Sequence, residues 1–454
     1  MTHDTVLALD LGTTNLKAGL YREGDSPLIQ SLPTASIRDE NGYYLPERLW
    51  EAVRELIGEF PIRKLNNVCR VGIGGMAEAG LLIDRRSGKA RSPILPWNVT
   101  SGADKLSETP DRFFQTGLPK HSKYSLFKVL ALSPPKGETW WLGVPEYVLW
   151  RMTGVRQTDP TLAARTYVYD IRKKAWDRSL LESLGLDEDL FPPVFPTGTS
   201  PRKVLRTAGL PQEAEAVIGG HDHLAAAYAL NTLNETQILI SAGTAQVTLA
   251  FFPRMTWNQE MYESSLSYGP SPTGSGLVSL SSIQSAGGSV NCWRKWLGLS
   301  ANEWWSMAEK DDGSTLLYLP YLAGSGAPHL NPMVTARLVG LRQETTREQI
   351  VVAIMRGIAL ETRWTLEKMN LGQRQVVAAG GLSKQSSYMQ MLADLLRRPV
   401  FCPECEEATL EGAAMLAAGR QLNQKRKTAI YTPQKTESET EEIYRRYCTE
   451  IDKQ

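Results

Sequence analysis

The chain has 454 residues, of which 42% are hydrophobic and 22% charged, and its formal net charge is +1. At ~150 residues per domain this length predicts two or three domains. The near-zero charge disfavours a broad surface for nucleic acid or membrane. No apolar run approaches the ~20 residues of a membrane span, and no basic region followed by an apolar run begins the chain. Five cysteines in so long a chain form no disulfide framework, so we expect a cytoplasmic protein.

The first element along the chain is predicted as a strand, a turn and a second strand over residues 6–20. The turn follows Asp10 and reads Leu11-Gly12-Thr13-Thr14-Asn15. A carboxylate at the end of a buried strand, a glycine that admits close approach and two hydroxyls suit a phosphate with a magnesium ion beside it. An ordinary hairpin with glycine in its turn remains the alternative.

A helix over residues 44–60 and strands over 68–74 and 81–84 follow, with Glu78 in the glycine-rich loop between the two strands. Open α/β sheets bind ligands at such strand ends, although Glu78 as a solvated loop charge is an equal alternative. Further helices are predicted over residues 144–152 and 180–186.

A second informative cluster spans residues 216–229, where an apolar strand ends in Gly219-Gly220 and an alanine-rich helix continues from Ala225. This arrangement predicts Asp222 at the carboxyl end of the strand and near the helix N-terminus, where a carboxylate stays ionised. His221 and His223 flank it. A histidine metal site is disfavoured because these neighbours point in different directions and no further ligand is nearby.

Residues 238–250 echo the opening element. Placing Gly243-Thr244 on Gly12-Thr13 puts Ser241 opposite Asp10 and Gln246 opposite Asn15. We interpret this as an internal duplication with a boundary near residue 235. Two phosphate-facing turns across a cleft, of which only the first has an acid, fit a bound polyphosphate.

The second half continues with predicted helices over 290–297, 346–369, 388–396, 411–419 and 438–451 and with strands over 316–322 and 375–379. The last strand runs into Gly380-Gly381, a junction whose backbone N–H groups can contact a ligand. Neither a Walker A sequence nor a Gly-x-Gly-x-x-Gly fingerprint after a strand occurs. A nucleotide would therefore be held by the paired turns.

In this order the motifs resemble the FGGY family of carbohydrate kinases, within the actin, hexokinase and heat-shock ATPase superfamily, over roughly residues 5–445. The motifs that carry the resemblance are Asp10-Leu11-Gly12-Thr13-Thr14-Asn15, Gly117-Leu118-Pro119 with Lys128, Gly219-Gly220-His221-Asp222, Gly243-Thr244, Pro320-Tyr321-Leu322-Ala323-Gly324, Ala379-Gly380-Gly381 and Glu411-Gly412-Ala413-Ala414.

The resemblance implies an α/β fold of two ribonuclease-H-like (actin-like ATPase) domains with a cleft between them. Residues 1–235 would carry the sugar site and the catalytic base, and residues 236–454 the nucleotide site and a polar helical tail. The implied activity is ATP-dependent phosphorylation of a hydroxyl of a small sugar, ketose or polyol, with ATP and Mg²⁺ as cofactors.

Within that resemblance Asp222 matches the general base, and Asp10 and Asp222 are the implied metal ligands. The implied nucleotide-binding residues are Asp10, Gly12, Thr13, Thr14, Asn15, Gly243, Thr244, Gly287, Gly380, Gly381 and Gln385. The implied substrate-binding residues are Met76, Ala77, Glu78, Trp97, Tyr124 and Asp222.

The sequence departs from the family pattern mainly at sugar-facing positions. Ala77 replaces the arginine of glycerol kinases, which counts against glycerol, and the Gln-Met-His pattern of xylulokinases is absent. The remaining departures are Trp97-Asn98-Val99-Thr100-Ser101 after the Glu78 loop, Ser325-Gly326 in place of Glu-Arg, and Arg356 in place of Glu. The reaction class is therefore predicted, but the sugar is open.

Two other interpretations stay open: a nucleotide-dependent switch or binding protein of the same superfamily without sugar kinase activity, and a kinase relative that has lost activity. The retained Asp222 disfavours both. We expect a small-molecule substrate, no nucleic acid and no membrane partner. The pattern does not set the oligomeric state, for which a homodimer is the commonest default.

Overall fold

The structure is a computed structural model that describes residues 5–100, 106–310, 314–422 and 426–453. Ser101, the last residue of the departure from the family pattern at 97–101, lies outside the described residues. Its contacts divide the chain into two compact units. The first unit comprises Met1–Asn231, Tyr268–Leu277 and Glu407–Lys425, and the second comprises Thr232–Ser267, Val278–Glu406 and Arg426–Gln454. The first long segment ends close to the predicted boundary at residue 235, and two later segments return to the first unit. No helix in the described ranges is long and apolar enough to cross a membrane.

Up to residue 229 the chain alternates short strands and helices. The strands are β1 (Thr5–Leu11), β2 (Asn15–Tyr21), β3 (Leu28–Pro33), β4 (Val68–Gly75), β5 (Gly80–Asp84), β6 (Thr139–Gly143), β7 (Tyr169–Asp170), β8 (Ala175–Trp176), β9 (Arg202–Lys203) and β10 (Glu215–His221). The helices are α1 (Pro46–Gly58), α2 (Ile62–Leu65), α3 (Pro110–Thr116), α4 (Ser125–Leu132), α5 (Val144–Thr153), α6 (Pro160–Ala163), α7 (Arg178–Ser183) and α8 (Asp222–Ala229).

The rest of the chain repeats this alternation with longer helices. The strands are β11 (Gln237–Ala242), β12 (Gln246–Phe252), β13 (Ser267–Pro270), β14 (Leu277–Ile283), β15 (Leu317–Leu319), β16 (Arg337–Val339), β17 (Gln375–Ala379), β18 (Val400–Pro403) and β19 (Thr428–Tyr431). The helices are α9 (Gln259–Glu263), α10 (Gly287–Trp296), α11 (Ala301–Ala308), α12 (Arg347–Lys368), α13 (Ser386–Leu396), α14 (Ala408–Ala418) and α15 (Glu437–Ile451).

The main sheet of the first unit has the order β3-β2-β1-β4-β10-β9 among the described residues. Strand β1 is antiparallel to β2 and parallel to β4, which is itself parallel to β10. Because successive side chains of a strand point to opposite faces, Leu7 and Leu9 pack in one core with α1 and α5, whereas Val6 and Ala8 pack with α14. Asp10 continues the face of Val6 and Ala8.

Helix α14 packs directly on backbone because small residues line its contact face. A Cβ at Gly412 would lie 1.9 Å from the carbonyl oxygen of Ala225 in α8. A Cβ at Gly72 in β4 would lie 2.2 Å from the carbonyl oxygen of Ala413. These distances leave no room for a side chain, so α14 packs closely against both α8 and the sheet.

The second unit repeats the strand order of the first, which confirms the predicted duplication of one architecture. Six of its strands are neighbours in the order β14-β12-β11-β17-β18-β19, with β11 antiparallel to β12 and parallel to β17. The predicted match of Gln246 with Asn15 is wrong by one position, however. Leu11 pairs with Leu16 across the first hairpin, and Ala242 pairs with Gln246 across the second. Gln246 therefore occupies the position of Leu16, because the second turn is one residue shorter.

Three helices begin three residues earlier than their apolar patterns predict. Helix α8 begins at Asp222 rather than Ala225, α10 at Gly287 rather than Val290, and α14 at Ala408 rather than Glu411. The first turn of a helix can be polar or glycine-rich, since its N–H groups have no partner within the helix and its side chains need not face the core. For α8 this shift places Asp222 inside the first helical turn.

Other boundaries also moved. The helix predicted over residues 180–186 is α7, Arg178–Ser183, because the Asp177 side chain caps it by accepting from the Leu180 N–H. The helix predicted over residues 44–60 begins at Pro46, whose ring suits the first helical position. The strand predicted over residues 316–322 is only Leu317–Leu319.

A testable prediction follows from the close packing of α14. Gly412→Ala should lower the free energy of unfolding by about 1–3 kcal/mol, because the new methyl group overpacks against the backbone of α8. Gly58→Ala is the matched control, since a Cβ at Gly58 in α1 meets no atom within 4 Å. Urea denaturation followed by circular dichroism measures both variants. Equal midpoints for the two variants would contradict the packing described for α14.

Candidate functional site

Asp10 lies near the carboxyl end of β1, on the sheet face that packs with α14. It is 8% exposed, and its Oδ1 has no hydrogen-bond partner among the described residues. Burial, and after it the charge of Asp222, raises the pKa of Asp10 to about 8, although Lys17 acts in the opposite direction. Lys17 is itself paired with Glu407, 2.6 Å from Nζ to Oε2. Asp10 is thus a fixed carboxylate with too little positive charge around it.

The turn after Asp10 is held by its own backbone. The Gly12 N–H donates to the Asn15 carbonyl at 3.2 Å, and the Thr34 hydroxyl donates to the Gly12 carbonyl at 2.8 Å. A Cβ at Gly12 would lie 2.8 Å from the Asn15 carbonyl oxygen, so only glycine fits there without a shift. Thr13 is half-buried and Thr14 is exposed. The turn is therefore rigid and accessible beside the buried carboxylate.

Asp222 is the first residue of α8 and follows β10 directly. Its Oδ1 accepts from the His223 N–H at 2.6 Å and lies 3.2 Å from Nε2 of His221. Burial lowers the pKa of His221 to about 4, so the ring is neutral near pH 7. The hydrogen bond from the His223 N–H orients Oδ1 and leaves Oδ2 for another partner.

Asp10 and Asp222 come from the strands β1 and β10 that flank β4. Since parallel strands bring their carboxyl ends to one edge of a sheet, both carboxylates lie at the same edge. Across the described ranges, no group of three or more His, Cys, Asp or Glu side chains could hold a metal ion. Two carboxylates without a third protein ligand suit Mg²⁺, which usually takes one or two carboxylates together with phosphate and water oxygens.

Glu78 is buried rather than solvated, so its interpretation as a loop charge in water is wrong. Its Oε1 accepts from Arg165 Nε at 2.9 Å and from Arg165 Nη2 at 2.6 Å. Burial alone would raise the pKa of Glu78, but the charges of Arg165 and Lys123 and the Arg165 hydrogen bonds hold this pKa below its ordinary value. Glu78 also has a left-handed backbone with φ +61°, a conformation that is strained in a residue other than glycine.

The other predicted substrate-binding residues surround this ion pair to different degrees. Met76 and Ala77 are buried, and the Met76 N–H donates to the Leu11 carbonyl at 3.1 Å. Tyr124 is buried and stacks on Tyr167 with ring centroids 5.7 Å apart. Trp97 is half-buried against the core. All four are therefore fixed by packing.

Sequence reasoning missed two cations near Glu78, namely Lys123 and Arg165, and named Lys128 only as part of a family motif. Nζ of Lys128 donates to the carbonyl groups of Trp97, at 3.2 Å, and of Lys123. Arg165 lies in a single helical turn, Ala164–Thr166, inside a Thr- and Ala-rich segment without an obvious chemical motif. The one available signal was Glu78 itself, because a carboxylate at a buried strand end needs a cationic partner.

In the second unit, the turn after β11 rests on the start of α10. The Gly287 N–H donates to the Gly243 carbonyl at 3.1 Å, and the Gly288 N–H donates to the Thr244 carbonyl at 2.9 Å. A Cβ at Gly287 would lie 2.6 Å from the Gly243 carbonyl oxygen. Gly287 therefore positions the turn through its backbone, while Thr244 is exposed.

The Gly380-Gly381 junction follows β17, beside that turn. Gly380 has φ +99°, and a Cβ there would lie 2.7 Å from the Ala242 carbonyl oxygen. Gly381 is exposed, and a Cβ there meets nothing within 4 Å. Gln385 precedes the first residue of α13 and is half-buried. The predicted nucleotide residues of the second half thus meet around the ends of β11 and β17.

Comparison with known proteins gives a match over both halves of the chain. The N-terminal domain of the FGGY family of carbohydrate kinases matches residues 5–229, and the C-terminal domain of that family matches residues 239–419. The glycerol kinase of Thermus brockianus is 27% identical over 481 residues, covering 97% of this chain and 96% of that protein. A glycerol kinase of Saccharolobus islandicus is 28% identical, covering 92% of this chain and 88% of that protein.

Solved structures of the same family have the same fold. The gluconate kinase of Lactobacillus acidophilus superposes with a TM-score of 0.86 at 18% identity, covering 99% of this chain and 98% of that one. The xylulose kinase of Lactobacillus acidophilus superposes with a TM-score of 0.85 at 19% identity and the same coverage. These likenesses confirm the predicted actin-like α/β fold. Because the two family domains together match nearly the whole length, the chain belongs to the FGGY family of carbohydrate kinases.

Proposed function

We propose that this protein transfers the γ-phosphoryl group of ATP to one hydroxyl of a small sugar, ketose or polyol, with Asp222 as the general base. The family consists of phosphotransferases that act on hydroxyl groups, and the reaction proposed here is the specific form that the site supports. The observation that carries it is the pair of carboxylates, Asp10 and Asp222, at one edge of the first sheet. One of them is oriented by a backbone hydrogen bond, and the other has an oxygen without a partner in the described part of the chain.

Asp222 suits the base because its Oδ1 is already engaged and its Oδ2 can accept a proton. As the acceptor oxygen bonds to the γ-phosphorus and the bond from phosphorus to the β-phosphate oxygen breaks, the hydroxyl proton passes to Asp222 and ADP leaves. A carboxylate is a sufficient base here, since phosphoryl transfer has a loose transition state and depends mainly on positioning. The neutral His221 ring lies against the carboxylate, with Nε2 3.2 Å from Oδ1.

Magnesium fits beside Asp10, because a buried carboxylate with a raised pKa and an orphaned oxygen gains most from an added cation. We propose Asp10 and Asp222 as its protein ligands. When bound, Mg²⁺ would neutralise phosphate charge and fix the phosphate oxygens. The Gly12–Asn15 turn would present backbone N–H groups and hydroxyls to phosphate oxygens, and we propose a phosphate-facing role for the Gly243–Thr244 turn as well.

We assign the adenosine part of ATP to the second unit. Gly380 and Gly381 leave backbone exposed at the end of β17, and Gln385 offers an amide at the start of α13. Residues 1–235 would then carry the acceptor site and the base, and residues 236–454 would carry most of the nucleotide site. For the acceptor we propose contacts with Met76, Ala77, Glu78, Trp97 and Tyr124.

Glu78 can accept a hydrogen bond from a substrate hydroxyl without losing its ion pair. Both described hydrogen bonds from Arg165 end on Oε1, so Oε2 remains as an acceptor. Arg165 keeps the carboxylate ionised despite its burial. Ala77 stands in place of the arginine of glycerol kinases, which is the reason that we do not propose glycerol as the acceptor.

Asp222→Asn tests the base. The substitution keeps the side-chain shape but removes the proton acceptor, so kcat should fall by about a hundredfold or more. Coupled ADP release with a panel of pentuloses, hexuloses, polyols and sugar acids measures it. Asp25→Asn is the control, because Asp25 is exposed on the same unit. Full turnover in the Asp222→Asn variant would rule out this role for the carboxylate.

Gly381→Ala tests the nucleotide site. The added methyl group meets no protein atom, so the thermal unfolding midpoint should stay unchanged. The KM for ATP should rise by about tenfold, because a methyl group that crowds the bound nucleotide costs about 1–3 kcal/mol. Gly380→Ala serves for comparison and should lower the unfolding midpoint, since its Cβ meets the Ala242 carbonyl oxygen. An unchanged KM for ATP in Gly381→Ala would place adenosine elsewhere.

Arg165→Met tests the buried ion pair. It leaves Glu78 buried without a partner, so the free energy of unfolding should fall by about 3–5 kcal/mol. Chemical denaturation measures the loss, and the exposed Arg63→Met is the control. Adding Glu78→Gln to Arg165→Met removes the stranded charge and should recover part of the loss. If the double variant is as unstable as Arg165→Met, the stabilising role of the pair is wrong.

A further inference from the structure

Two cations converge on one aromatic ring in the proposed acceptor site. Nζ of Lys123 lies 5.5 Å from the centroid of the Tyr124 ring, and Cζ of Arg165 lies 5.3 Å from the same centroid. Lys123 and Arg165 repel each other, and both are attracted by Glu78. Two like charges near one buried ring are costly without a compensating anion.

Glu78 forms an ion pair with only one of these cations, Arg165. Its Oε1 accepts from Nε and Nη2 of Arg165, whereas Nη1 of Arg165 is buried and has no partner among the described residues. The structure gives Lys123 Nζ no hydrogen bond and no ion pair within the described ranges. Lys128, by contrast, donates to two backbone carbonyl groups. The unsatisfied donors are therefore Arg165 Nη1 and Lys123 Nζ.

The side-chain charges around these two donors sum to a positive value. Lys123, Lys128 and Arg165 provide three positive charges, whereas Glu78 and Asp222 provide two negative ones. His121 does not add to them near pH 7, because burial lowers the pKa of its ring to about 4. Among these five groups of the described ranges one positive charge is left over, and burial of Lys123 also lowers its pKa to about 8. A single negative charge from a ligand would balance the site.

We infer that the acceptor is a polyhydroxy acid of the aldonate type, whose carboxylate is bound by Lys123 Nζ and Arg165 Nη1 beside Tyr124. This inference rests on the proposed function and specifies its substrate class. The hydroxyl to be phosphorylated would then lie toward Asp222, and Glu78 Oε2 would accept from a hydroxyl near the carboxylate. A carboxylate matches the surplus of one charge, whereas a phosphate dianion would exceed it.

The test compares each aldonate with the alditol of the same length, because the two differ only in a terminal carboxylate or hydroxymethyl group. The pairs are gluconate with glucitol, ribonate with ribitol and glycerate with glycerol, each assayed by ADP release at saturating ATP and Mg²⁺. For at least one pair, kcat/KM should be tenfold or more higher for the acid, equivalent to about 1.4 kcal/mol.

Lys123→Met keeps the length of the side chain and removes its charge. It should lower the ratio of kcat/KM for the acid to that for the alditol by tenfold or more, because a hydrogen bond to a charged group is lost. Lys136→Met is the matched control, since Lys136 is exposed on the same unit, and it should keep the wild-type ratio. Calorimetric titration of the acid without ATP should show the same loss of binding in Lys123→Met only.

The outcomes separate the two proposals. If alditols or ketoses are phosphorylated as well as the acids, or if Lys123→Met keeps the preference, the acidic substrate is wrong while the kinase function stands. If no acceptor releases ADP but the acid binds and Lys123→Met abolishes binding, the anion site stands and the proposed function fails. If the acid neither binds nor reacts, the inference is overturned.

Discussion

The contact of α14 with the first sheet is the constraint on which the proposed acceptor site depends. Gly412 brings the backbone of α14 against α8, and Gly72 lets the same helix lie on β4. The first of these contacts fixes α8, whose first residue is Asp222, and the second fixes the sheet face that carries Asp10. Glu407, just before α14, also reaches Lys17 beside Asp10. A late segment of the chain thus completes the environment of two carboxylates from its first half.

Glu78 and Asp10, two buried carboxylates of the first unit, have opposite electrostatic surroundings. Glu78 has a guanidinium on one oxygen, which keeps it ionised, whereas burial and a neighbouring carboxylate favour the protonated form of Asp10. The charge of Glu78 is balanced without a ligand, which suits a residue that holds a substrate by hydrogen bonds. The charge of Asp10 is not balanced by the protein, so Asp10 gains from a bound cation. This difference supports separate roles for the two residues in the proposed reaction.

Much of the fold could be predicted because it depends on local patterns. Two similar α/β halves were predicted from apolar runs of strand length, glycine-rich breaks and the recurrence of Gly12-Thr13 as Gly243-Thr244. The main sheets of the two units have the same strand order. Predictions failed where a pattern lacks the relevant information. The starts of α8, α10 and α14 carry polar or small residues that do not continue the apolar period. The second hairpin turn is one residue shorter than the first, which moves Gln246 by one position. The residue types of the turn do not reveal this difference in length.

The sequence by itself determined the strand–turn–strand units, the position of Asp10 at a strand end and the Gly-Gly junction before Asp222, because each depends on neighbours in the chain. Only the tertiary structure decided which charges meet. Arg165 is far from Glu78 in sequence but donates two hydrogen bonds to it, and Lys123 approaches the same Tyr124 ring as Arg165. Such pairings follow from how loops of the first unit fold back onto one sheet edge. No periodicity along the chain encodes them, since the energy of a buried charge depends on its neighbours in space.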